Sequence, residues 1–177
     1  MKSLKIKVFI PLVLIAAMGF LTAFGGLTSL KQLGAVGNEI ASQRVPVIIT
    51  LDAISLNIQE MQQLLLTHSV MDTKEDKARV EEEISICAAT LKAYMEEYKQ
   101  LTGDEATYND MMASYEAYMT NYSDTLSLSA MNNTKAVTEQ VNGVLADIFG
   151  ELNIKIQAMI QQEQTDIGLA KGRQENI

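Results

Sequence analysis

The side chains in this chain that could do chemistry are few, and they fall at helical spacing instead of gathering in a compact motif. His68 is the only histidine. Its imidazole offers a ligand contact or a charge that changes near neutral pH; equally, it reads as a helix-end residue bonded to a backbone carbonyl or water. Tyr118 and Tyr122 stand near Thr125 and Ser129 in the sequence. Their rings suit a core with hydroxyls at its rim, and the four polar tips also leave room for a small molecule. Cys87 is alone, so neither a disulfide within the chain nor a CxxC pair can form. Its spacing puts it on an apolar stripe as a buried, inert thiol, with an inter-subunit disulfide as the other use.

Catalytic machinery is missing from this inventory. With one histidine there is no visible nucleophile–base pair, and there is no Gly-rich phosphate loop or carboxylate pair on an apolar face. A metal site needs several converging ligands, and no Glu-x-x-His is present. The ten methionines fall at helical spacing and read as gap-fillers. The expectation is a protein that is not an enzyme and carries no metal and no cofactor.

Helices have to position these groups. Val8–Leu30 is a run of 23 residues without a charge. A helix of that length spans about 35 Å, against a hydrocarbon core of about 30 Å. Lys2, Lys5 and Lys7 precede it. That asymmetry puts residues 1–7 in the cytoplasm, 8–30 across a cytoplasmic (inner) membrane as a single span, and 31–177 outside as one domain. A signal peptide cut near Ala23-Phe24-Gly25 is the other reading. Stepping alternately by three and four residues from Ala16 gives a heptad seam that stays in phase through Gly37, Arg44, Leu51, Ile58, Leu65 and His68. The span and the first outer helix are therefore expected to form one rod. Pro46 removes a hydrogen bond from it, which predicts a bend near Ser42–Pro46 with the helix surviving. Arg44, a charge on the seam, is expected to pair with a carboxylate or reach toward headgroups.

A turn is predicted at Val70–Lys74, with Asp72 or Thr73 as the next N-cap. The second helix carries Val80, Ile84, Cys87, Leu91, Tyr94, Tyr98 and Leu101, with Glu81-Glu82-Glu83 on a solvated face. Gly103 ends it and Asp104 caps the third. That helix carries Tyr108, Met112, Tyr115, Met119, Tyr122 and Leu126, with Tyr118 on the flank. Asn132-Asn133-Thr134 breaks it, and the fourth begins with Val137, Val141, Val144 and Ile148 before shifting register through Phe149 and Leu152. Short connections force neighbours antiparallel. The fold expected is all-α: an antiparallel up-down-up-down four-helix bundle preceded by a transmembrane helix continuous with helix 1. The fourth helix then returns to the membrane, which predicts a second span just beyond Ile177. All 22 acidic residues follow Leu30, with 11 of the 14 basic ones. Such a negative outer domain argues against nucleic acid and against lying on anionic lipid.

A basic N-terminus, an apolar span, a long helix with Arg44-Val45-Pro46 and three further helices resemble the four-helix-bundle sensor domain of bacterial methyl-accepting chemotaxis receptors. The resemblance covers essentially the whole chain. It implies a ligand-sensing homodimer, anchored in the membrane, that passes small helix displacements across it. The implied partner is a small molecule of amino- or organic-acid type or a periplasmic binding protein, with a membrane-anchored helical scaffold as the alternative function. Well-known members hold a carboxylate with arginines near the end of helix 1 and a threonine opening helix 4. Thr134 stands at a similar place here, whereas Gln59, Glu60, Gln62, Gln63 and His68 stand where the arginines would be. The ligand-binding set expected is thus His68, Tyr118, Tyr122, Thr125 and Thr134.

Overall fold

The computed structural model describes residues 2–175, with side chains for Ala16 and residues 18–172. The chain folds as α1 (Lys2–Glu39), a π-helical segment (Ile40–Arg44), α2 (Val45–Val70), α3 (Lys74–Thr102), α4 (Glu105–Ala130), α5 (Thr134–Asn142) and α6 (Val144–Glu175). No strand interrupts the helices among the described residues.

Local chemistry sets the boundaries. Thr73 caps α3, its hydroxyl oxygen accepting from the Asp76 amide at 3.1 Å. Gly103 takes the left-handed conformation, φ 66°, that ends α3, and it does so without the clash a Cβ brings. The Asp104 carboxylate accepts from the Thr107 amide at 3.0 Å and its hydroxyl at 2.6 Å, which holds its pKa below the ordinary carboxylate value. Asn133 caps α5 by accepting from the Ala136 amide. Between α5 and α6, a Cβ on Gly143 would meet the Glu139 carbonyl at 2.9 Å, so the break there needs glycine.

Packing closes three long rods, α3, α4 and α6, around α2. Val47, Leu51, Ile54, Ile58, Met61, Leu65 and His68 are all buried, the heptad positions expected, and each apolar one contributes about 2 kcal/mol by leaving water. Contacts fix the directions. His68 meets Glu81 while Asn57 meets Cys87, so α3 runs antiparallel to α2. Met61 meets Tyr122 while His68 meets Ser129, so α4 runs parallel to α2 across the core. Ser55 meets Asn153 while Arg44 meets Glu163, so α6 runs antiparallel. The core is all-α and bundled as expected.

Four expectations change. The placement read from Val8–Leu30, a single span in a cytoplasmic membrane, is overturned: no helix is long and apolar enough to cross a membrane among the described residues. Side chains 1–15, including Lys2, Lys5 and Lys7, lie outside those residues. Of the expected span, side chains are described from Ala16 onward, save Ala17. Thr22 and Thr28 within it turn their hydroxyls back onto Met18 and Phe24 carbonyls, and Gly19, Gly25 and Gly26 dilute the apolar surface further.

The unbroken seam also fails. Leu30 is 66% exposed and Leu33 43%, whereas Val47 is 4%, because α1 extends beyond the bundle and meets little besides the end of α6. The expected bend at Ser42–Pro46 takes this form: the Val45 amide donates to Ile40 O, five residues back, and the helix survives. Finally, α4 buries Tyr108, Met111, Tyr118, Tyr122, Thr125 and Ser129, one face round from the methionine stripe. The register break in the last helix falls at Gly143, leaving Val144 45% exposed and Leu145 fully buried.

Leu65→Ala is expected to cost about 2–5 kcal/mol of unfolding free energy. Ile154→Ala, at a site 70% exposed, is expected to change it by about 0.5 kcal/mol or less. Urea titration of both variants checks the assignment of faces.

Candidate functional site

At the end of the bundle where α2 turns into α3 and α4 into α5, four buried polar residues meet. His68 closes α2 with its side chain fully buried. Its Nδ1 lies 2.7 Å from Ser129 Oγ on α4 and its Nε2 lies 3.2 Å from Glu81 Oε1 on α3. A carboxylate only accepts, so Nε2 carries the hydrogen and donates to Glu81; Nδ1 then accepts from the Ser129 hydroxyl. One imidazole thereby ties three helices. Burial holds the His68 pKa below 6.5, with the neighbouring Lys77 charge acting the same way against the pull of Glu81.

Lys77 is the second buried group, 8% exposed on the first turn of α3. Its ammonium donates to Ser129 O and to Asn132 Oδ1. Those acceptors sit at the C-terminus of α4, where unpaired carbonyls concentrate negative charge. Among the described residues no carboxylate lies within ion-pair distance of it. Thr134, opening α5, reaches Ser69 O at 3.4 Å, so it joins the same end.

The other expected residues are less gathered. Tyr122 lies 1% exposed and donates to Met61 O at 2.9 Å. Thr125 spends its hydroxyl on Asn121 O within its own helix. Tyr118 is fully buried, its ring 5.7 Å from that of Tyr122, and its hydroxyl has no hydrogen-bond partner among the described residues. Burial pushes both phenols well above their ordinary pKa. The structure thus brings His68, Ser129 and Thr134 to one end and leaves Tyr118, Tyr122 and Thr125 as core. The sequence reading missed Lys77 and Glu81. Lys77 was reachable, since stepping back three residues from Val80 continues the α3 stripe onto it; Glu81 looked like a solvated face and is 49% exposed.

Ser129, His68 and Glu81 stand in the order of a nucleophile, base and acid. The serine is 1% exposed and ends a helix, where carbonyls repel a developing oxyanion. This arrangement pins α2, α3 and α4 together. Cys87 is buried as expected; burial first, then the Glu60 carboxylate, pushes its thiol up to about 11. It floors a groove of about 320 Å3 between α2 and α3 lined by Asn57, Glu60, Glu83, Ile86 and Thr90. At the opposite end, Arg44 pairs with Glu39, Glu163 and Asp166 at 3.3, 3.1 and 3.0 Å, the carboxylate partners expected for it.

Because the folded state holds the His68 pKa below 6.5, its contribution to stability is full above pH 6.5 and is lost as pH falls through the lowered folded value. Urea midpoints are expected to fall over that acidic range, and His68→Asn to flatten this part of the profile. Tyr118→Phe is expected to leave stability unchanged or raise it by up to about 1 kcal/mol, whereas Tyr122→Phe costs about 1 kcal/mol; thermal melts separate the two.

Comparison with known families returns one assignment. Residues 3–169 match the family described as a four helix bundle sensory module for signal transduction. Comparison with curated proteins gives no match, and comparison with solved structures gives none. The match extends over every helix of the bundle, and a preceding transmembrane helix is not part of what it establishes. The chain belongs to the four-helix-bundle sensory modules for signal transduction, the modules of chemotaxis receptors that its layout resembles.

Proposed function

We propose that this bundle is a ligand-sensing input module. Its ligand is a small solute of amino- or organic-acid type, met where His68, Lys77 and Thr134 cluster. Its response is a small movement of α6 against α2. The observation that carries the reading is the correspondence of residues 3–169, the whole bundle, to sensory modules. The ligand class is supported by Lys77, a nearly buried ammonium held by two neutral acceptors. A carboxylate beside it supplies the opposite charge and a charge-assisted hydrogen bond. The response is supported by Arg44, which ties α6 to the first helix at the far end.

A second copy of the chain is the proposed partner. Val45, Ile49, Leu56, Leu66 and Val70 are 39–68% exposed on α2. Separations of four, seven, ten and four residues put them on one side of α2, turned away from the core, which is a face that can pack against another helix.

Isothermal titration of the 177-residue chain against a panel of amino and organic acids tests the reading. At least one acid is expected to bind, and Lys77→Met is expected to weaken it about tenfold or more with the helical circular dichroism retained. No heat from any acid, with the chain folded, overturns direct recognition and leaves a ligand-loaded binding protein as the partner to test.

A further inference from the structure

Arg44 ends the π-helical segment through which the first helix enters the bundle, and two features select that wide turn. Pro46 has no amide hydrogen for Ser42 O, and its ring crowds that carbonyl. The wider turn relieves the crowding, and the Val45 amide bonds Ile40 O instead. The second feature is ionic. Arg44 Nε holds Glu39 Oε1 at 3.3 Å, a partner five residues back. Side chains on an α-helix meet at separations of three or four, so Glu39 faces Arg44 because the turn carries an extra residue. The same guanidinium holds Glu163 at 3.1 Å and Asp166 at 3.0 Å on α6 through Nη1. One side chain thus reads both the winding of its own helix and the position of another.

We propose that Ile40–Arg44 is a two-register joint: π-helical while Arg44 grips Glu39, Glu163 and Asp166, and α-helical with a bend at Pro46 once that grip is released. Both states are ways in which helices accommodate a proline or an extra residue. Absorbing the extra residue turns α1 by about 100° and moves it about 1.5 Å along its axis relative to α2. Packed helices shift by about 1–2 Å in switching transitions, which is enough to pull Glu163 and Asp166 out of hydrogen-bond reach. The Arg44 side chain is 24% exposed, so water replaces the lost partners at little cost. Movement of α6 thereby becomes rotation of α1. The signalling use of the joint rests on the sensory reading above; its existence rests on the segment alone.

Spin labels at Lys31→Cys on α1 and Gln100→Cys on α3, in the full chain with Cys87→Ala, report the register as a distance. The parent is expected to give one population. Arg44→Gln and the milder Glu39→Gln, whose site is 43% exposed, are expected to add a second population displaced by about 3–4 Å at the Cα and roughly twice that at the label. The through-hydrogen-bond coupling of the Val45 amide is expected to pass from Ile40 to Ala41 in the same variants. Unchanged distances with Val45 still bonded to Ile40 in both variants overturn the joint. A second population in the variants that no acid of the panel induces in the parent keeps the joint and overturns its sensory use.

Discussion

Water leaves the inner face of α2 only because the other helices of the bundle close over it. Leu51, Ile54, Met61 and Leu65 are almost completely buried, and α3, α4, α5 and α6 all touch this one rod. Of the remaining helices α3 packs chiefly on α2, whereas α4, α5 and α6 also pack on one another. The loops are too short to choose any other neighbour relation: three residues separate α2 from α3, two separate α3 from α4, and three separate α4 from α5. Hydrophobic burial along one helix therefore decides the fold, and the caps at Thr73, Asp104 and Asn133 decide only where each rod starts.

Polar groups do a different job at the two ends. His68 and Lys77 are expensive to bury, and each is accepted because its hydrogen bonds are met by groups on neighbouring helices. An apolar pair of the same shape would hold the end at least as firmly, but it would accept sliding of α4 along α2. The hydrogen bonds from His68 to Ser129 and from Lys77 to the α4 terminus set the register to a single residue. Arg44 sets it in the same way at the other end, with carboxylates in place of carbonyls.

How far the sequence is readable depends on which force dominates at each position. The α2 stripe could be read residue by residue because a single strong apolar period lies there, and the caps before α3 and α4 could be read because Thr, Asp and Gly have few other reasons to sit at those points. In α4 two stripes compete. Met112 and Met119 are the more apolar, yet Tyr118, Thr125 and Ser129 are buried because their hydroxyls find acceptors or, for Tyr118, because the ring packs on Tyr122. Hydropathy cannot see that. The π-helical insertion is similarly hidden: Pro46 announces a disturbance in the helix, but only the partners of Arg44 select a wide turn over a kink. Of the expected site, His68 and Thr134 fall together, whereas the grouping with Lys77 needed three dimensions.

Gly143 separates nine residues of α5 from the thirty-two of α6. A helix of nine residues is too short to hold itself in water, and Val137 is its one fully buried side chain. The break removes the ladder that would otherwise lend it the firmness of α6. The piece of the module that carries Thr134 can therefore open in a local excursion that leaves the other helices folded. A sensory module built this way sets its short, separately ended segment beside its cluster of buried polar groups.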